Sequence, residues 1–278
     1  MPSLPLHRPP PTRQPLGEAL RGLVNAAGGL LYHFTAWRFR KTLWRSYSEQ
    51  AAKLLAEWSP DESALVIVGP SAGWNLPAAF LQRFDRVTAI EPDPLARLLL
   101  RLRFPHVQWQ MDTTDYFTPH GTQLWTENLA RLFARYPNEA LLFSEFFSQL
   151  LGLYPEAIVE ERDGGVLETA AFARWKTQLR SHLAKRSYFS AHDRWVSSTA
   201  PRPLPPLPLP FDVDGPPPLE LWPDPQQAFD PFTAAMTPDV PQRVVVWQRL
   251  PDRWHAMAVV WRKSGAAPTD PDAIRLPN

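Results

Sequence analysis

Apolar and polar positions alternate along this chain in blocks, and the period of the alternation changes from block to block. Residues 32–58, "YHFTAWRFRKTLWRSYSEQAAKLLAEW", carry Trp37, Trp44, Tyr47, Ala51, Leu54 and Trp58 at helical spacing, with Arg38, Lys41 and Arg45 on the neighbouring face. That spacing predicts one amphipathic helix ending before Pro60. From Ser63 onward, β-rich runs at 64–68, 86–90, 107–110 and 140–144 read as strands. The segments between them, "WNLPAAFLQRF", "DPLARLLLRLRF" and "TQLWTENLARLFARY", carry apolar residues three to four apart and read as helices. Asp93 and Pro94 look like the N-cap and first position of the second of these. A further helix is expected from about Glu168 to Lys185, and a fifth strand around Trp195 to Ser198. Finally "RVVVWQRLPDRWHAMAVVWRKS" sets two β-rich runs around Leu250-Pro251-Asp252-Arg253 and reads as an antiparallel hairpin. Alternating strands and helices predict a mainly parallel sheet with crossover helices. The closing hairpin is a feature that ordinary dinucleotide-binding folds do not need.

Composition sharpens the boundaries. Of the 33 prolines, 17 fall in residues 1–16 and 201–225. The first stretch reads as a flexible arm, and the second as an insertion between the fifth strand and the hairpin. "PRPLPPLPLPF" also has the P-x-x-P spacing of an SH3 ligand, but a stiff polyproline loop between the fifth strand and the hairpin is the better reading. The resulting division is an arm at 1–16, a helical extension at 17–62, an α/β domain at 63–264 and a tail at 265–278. Hydrophobic residues make up 44% of the 278, enough for a packed core. A formal net charge of +1 gives no global drive toward nucleic acid. The absence of cysteine excludes disulfides and thiol catalysis and fits a reducing compartment, so the cytoplasm is expected. No apolar run is long enough to span a bilayer. No two of the seven histidines have metal-ligand spacing, and no metal site is expected.

Candidate chemistry begins at "ALVIVGPSAGWNL", where the first strand breaks into Gly69-Pro70-Ser71-Ala72-Gly73. A sharp strand-to-helix turn would leave unpaired N–H groups and a helix N-terminus at the carboxyl edge of the sheet, with small residues admitting a ligand. The dinucleotide pattern G-x-G-x-x-G is not met, because Ser71 and Trp74 occupy two of its glycine positions. The second strand ends in Glu91, where an acidic side chain can accept ribose hydroxyls, and the third ends near Asp112. After the fourth strand comes "FSEFFSQLLG", whose Glu145 is the candidate general base.

The region from about Ser63 to Ser264 resembles the class I S-adenosylmethionine-dependent methyltransferases, in the two retained glycines of a G-x-G-x-G turn, in Glu91, in Asp112 and in the closing hairpin. "YHFTAWRFRKTLW", "GPSAGWNLP" and "EPDPLAR" also look like a little-characterised bacterial branch of that family. The resemblance implies a Rossmann-like three-layer α/β/α fold and S-adenosylmethionine as cofactor. It places Gly69, Pro70, Ser71 and Gly73 beside the methionine moiety, Glu91 at the ribose and Asp112 with Thr113 at the adenine. Ser144 completes the set at the fourth strand. Ile67 stands where the family carries an acidic residue, and Ser71 where it carries the middle glycine. The expected activity is methyl transfer to an unidentified acceptor. The alternatives are a non-catalytic scaffold that binds a protein partner, and other chemistry in the same nucleoside pocket, such as use of decarboxylated cofactor.

Overall fold

The computed structural model describes residues 29–117, 121–147, 150, 158–162, 165–201, 209–211 and 242–265. The N-terminal arm, nearly all of the C-terminal tail and most of the Pro-rich insertion lie outside them. Strand β1 (Ala64–Val68), β2 (Arg86–Ile90), β3 (Trp109–Asp112) and β4 (Ala140–Ser144) are joined in parallel with β7 (Tyr188–Ser197). Antiparallel β8 (Leu209–Phe211), β9 (Gln242–Leu250) and β10 (Arg253–Arg262) complete an eight-stranded sheet of order β3-β2-β1-β4-β7-β10-β9-β8. A separate hairpin, β5 (Val159–Arg162) with β6 (Gly165–Glu168), lies between β4 and the last helix.

Two-residue alternation along the strands builds both layers around the sheet. Leu65 and Ile67 of β1 enter one core, while Val66 and Val68 enter the other. The first core is covered by α1 (Leu30–Phe39), α2 (Arg45–Glu57), α3 (Ala78–Leu81) and α4 (Pro94–Arg103), the second by α5 (Gly121–Arg135) and α6 (Ala170–Leu183). In the second core the Trp125 ring stacks on Trp175 at 5.4 Å between centroids. This is a three-layer α/β/α arrangement. Asp93 caps α4 by accepting from the Leu95 N–H at 2.8 Å, with Pro94 at the first position, as the sequence indicated.

Several expectations need correction. The single helix over 32–58 is two helices, because the Phe39 carbonyl accepts from the N–H groups of Thr42 and Trp44 and closes a turn there. The break re-aims Trp44, whose indole donates to the Arg249 carbonyl of β9 at 3.0 Å and meets Trp247 edge-on at 4.8 Å. Trp37, expected on the same buried stripe, is 62% exposed. The helix expected over 74–84 shrinks to Ala78–Leu81, its N-terminus held past the turn by Pro77. The third strand begins two residues later than expected, and the fifth begins at Tyr188. The Pro-rich insertion contributes β8, and the β5–β6 hairpin was not foreseen.

Candidate active site

The order β2-β1-β4 reverses the direction of winding at β1, and ligands of open α/β sheets bind outside the carboxyl ends of strands at such a point. The chain places Gly69, Glu91, Asp112 and Glu145 there, one at or beside the end of each of the first four strands.

The turn after β1 is tightly wound, with Gly69 at φ +63°, Ser71 at +50° and Gly73 at +64°. Only glycine enters this region without cost, so Ser71 carries strain. The two glycines serve different ends. A Cβ on Gly73 would come within 2.8 Å of Phe104 and 3.0 Å of Leu100, so core packing demands it, whereas a Cβ on Gly69 would meet only the edge of Phe146 at 3.1 Å. The turn is also satisfied from within. Gly69 N–H donates to the Ile90 carbonyl at 3.1 Å, Gly73 N–H to the Pro70 carbonyl at 2.8 Å, and Ser71 N–H to Glu91 Oε2 at 2.8 Å. With α3 starting only at Ala78, the expected cradle of free N–H groups on a helix N-terminus is not formed.

Glu91 is buried, accepting on Oε2 from Ser71 and on Oε1 from the Asp93 N–H at 3.0 Å. Burial pushes its carboxyl up to about 7 against the pull of those two donors. Each oxygen retains a lone pair for a further donor such as a ribose hydroxyl. Asp112 is engaged differently. Its Oδ1 accepts from Thr114 N–H at 2.8 Å, and its Oδ2 accepts from the hydroxyls of Tyr116 at 2.8 Å and Tyr136 at 2.6 Å and pairs with Arg135 Nε at 3.2 Å. Burial would raise this carboxyl, but the donors outweigh it and hold it below the usual range. Thr113 is exposed beside it, and Ser144 is partly buried at the end of β4.

Glu145 also lies in the left-handed region, at φ +57°, fixed by its N–H donating to the Ala191 carbonyl of β7. Its Oε1 accepts from Asn75 Nδ2 at 2.8 Å and from the Tyr47 hydroxyl at 3.3 Å, and Asn75 is itself held by Ser48. Burial pushes the carboxyl up to about 7; Asn75 opposes that shift and the negative charge of Asp193 adds to it. Tyr47 stacks on Trp247 at 5.1 Å, and beyond that ring, at 5.6 Å, stands His255. His255 Nδ1 bonds to Asp193 Oδ1 at 2.9 Å, and its Nε2 is buried with no hydrogen-bond partner. A bulge on β7 opposite Ala256 and Met257 accompanies this pairing.

Helix α1 is fastened across the same edge. His33 accepts the Trp74 indole N–H on Nδ1 at 3.1 Å and reaches Asp93 Oδ2 through Nε2 at 3.3 Å. The buried Tyr32 phenol feels the charges of both Glu145 and Glu91 and is held well above its ordinary value, with burial the chief cause. Sequence reasoning missed Tyr32, His33, Tyr47, Asn75, Asp193 and His255. "AHD" at 191–193 was the one visible signal, and its partner lies 62 residues away.

The chain matches no protein-family model and no curated protein. Among solved structures it is similar to the N-methyltransferase NodS from Bradyrhizobium japonicum WM9 in complex with S-adenosylhomocysteine (13% identity, 88% of this chain and 97% of that one, TM-score 0.42). It is likewise similar to magnesium protoporphyrin IX methyltransferase from Synechocystis PCC 6803 (10% identity, 83% and 91%, TM-score 0.40). A third is the amino pentose methyltransferase CalS10 from Micromonospora echinaspora (19% identity, 60% of this chain, TM-score 0.32), where the match spans 56% of that chain. These likenesses are distant, and the fold rests on the strand order itself. A parallel sheet that reverses at β1 and closes with an antiparallel hairpin is a Rossmann-like α/β arrangement.

Proposed function

We propose that the chain is an S-adenosylmethionine-dependent methyltransferase, its cofactor held over β1 and β2 and its acceptor met by groups at β4, β7 and β10. The observation that carries this reading is the placement of Glu91 and Glu145 directly after β2 and β4, on either side of β1 where the strand order reverses. The cofactor supplies an already electrophilic methyl group on a sulfonium. Glu91 accepts the ribose hydroxyls on its remaining lone pairs while it braces the turn of Gly69, Pro70, Ser71 and Gly73. Asp112, its oxygens already taken by four donors, positions the end of β3 and Thr113 beside the adenine rather than binding the base itself. Ser144 lines the same edge. Glu145, held near pH 7, takes the proton from the attacking group of the acceptor, because a base works best with a pKa near the operating pH. The N-terminal helices exclude water from the carboxyl edge.

A second reading, a scaffold with a degenerate cofactor site, is favoured by the internal use of the turn's N–H groups and by Ile67 and Ser71. Calorimetric titration separates the two. The enzyme reading expects micromolar binding of S-adenosylmethionine or S-adenosylhomocysteine, about 8 kcal/mol. It also expects weakening of about 30-fold or more in Glu91→Ala, since two charge-assisted hydrogen bonds are lost. Folded protein that binds neither nucleoside would sink the enzyme reading.

A further inference from the structure

The re-phased N-terminal helix leaves a surface that the carboxyl-edge site does not use. Among the described residues, every exposed large apolar side chain lies on one of two helices: Leu30, Leu31, Phe34 and Trp37 on α1, and Leu98 and Leu102 on α4. The two helices are neighbours. His33 of α1 bonds to Asp93 at the cap of α4, and the Trp74 ring lies under both Arg40 and Arg103, at 5.5 and 4.2 Å. Leu30, Phe34 and Trp37 follow one exposed stripe on α1 and Leu98 and Leu102 one on α4, and these stripes on adjoining helices make up the ridge. The charge on it has one sign. Residues 30–45 and 94–103 contain no acidic residue, while Arg38, Lys41 and Arg101 stand exposed among the leucines and aromatics. These three form no ion pair among the described residues.

We propose that this ridge seats on an anionic phospholipid surface, with the apolar side chains entering the headgroup boundary and the arginines and lysine meeting lipid phosphates. Apolar side chains interleaved with cations of one sign are what an interfacial helix needs. Other occupants fit less well. A second copy seated symmetrically would bring the same cations face to face. A nucleic acid would take the cations and leave six apolar side chains in water. No described helix is long and apolar enough to cross a membrane, so the ridge lies on the surface rather than spanning it.

The test is co-sedimentation of the full chain with vesicles of phosphatidylcholine alone or carrying about 30 mol % phosphatidylglycerol. Binding is expected to the anionic vesicles and to fall steeply with added salt. The Arg38→Glu/Arg101→Glu variant should bind roughly 20-fold more weakly or worse, each cation contributing about fivefold near the surface. Phe34→Ser/Trp37→Ser should lose binding at low salt as well. Unchanged unfolding midpoints confirm that both variants fold, and Leu98→Ser/Leu102→Ser serves if the first serine pair does not. Equal binding to neutral and anionic vesicles, or none to either, overturns the proposal. So does a dimer in light scattering that Phe34→Ser/Trp37→Ser dissolves, which would assign the ridge to a second copy.

Discussion

The ends of β3 and β4 each hold a shielded carboxylate, and the two behave in opposite ways. Asp112 gathers a backbone N–H, two tyrosine hydroxyls and an arginine, and its proton affinity falls. Glu145 receives an amide and one tyrosine on a single oxygen, and its proton affinity rises to about 7. Desolvation is the leading influence on both and pushes both upward; at Asp112 the donors outweigh it, whereas at Glu145 they do not and the charge of Asp193 adds to the rise. One strand end is finished as structure, while the other is left short of partners.

The widest separation between the two is expected on removing the finished one. Asp112→Ala strands the hydroxyls of Tyr116 and Tyr136 and should lower the unfolding free energy by about 3 kcal/mol at pH 7, read by urea denaturation. A loss within experimental error would mean that the donors contribute nothing net.

A smaller effect of opposite sign is expected at Glu145. A carboxyl whose pKa is raised on folding contributes stability that is full below its unfolded value and is lost as pH rises through the folded one. Wild type should therefore lose stability between about pH 4.5 and 7, and Glu145→Gln should lose less. At pH 8 the variant gains on wild type by about 2 kcal/mol, discounted for the partial exposure of the carboxylate. Methyl transfer, once an acceptor is known, should nevertheless fall. Identical pH profiles would remove Glu145 as a titrating base. Asp112 runs the other way, since its lowered pKa gives stability present above about pH 4 and lost in acid.

The smallest expected change comes from Tyr47→Phe, which deletes one hydrogen bond to Glu145 and keeps the stack on Trp247. It should cost about 1 kcal/mol at pH 8 and nearly nothing at pH 5, where Glu145 is protonated. A pH-independent loss would place the contribution of Tyr47 in packing alone.

The finished end was the more legible in the sequence. Gly69 and Glu91 follow strands whose apolar runs mark where they stop, so their neighbourhood could be read from local pattern, including the Asp93 cap, while Asp112 closes a strand that the pattern placed two residues early. Which donors would fill Asp112 could not be read, because Tyr136 lies a helix away on α5. The unfinished end is assembled from residues far apart in the chain: Tyr47 and Asn75 on one side of Glu145, Asp193 and His255 on the other. No periodicity links 47 to 145 or 193 to 255, and the break at Phe39 that directs Trp44 toward β9 depends on a local turn competing with the helix. The parallel pairing with crossover helices followed from alternation, whereas β8 and the β5–β6 hairpin lie in segments whose composition favours loops.

The short strand β8 bears on what the molecule does in a crowded solution. Without it, nine residues of β9 would offer a row of amides to any extended chain nearby. β8 covers the first three of them, Gln242–Val244, and Pro210 in its middle has no N–H to offer a further strand. The opposite border, β3, is only four residues long. A short border strand and a proline in the other are both features that discourage growth of a sheet by strand addition.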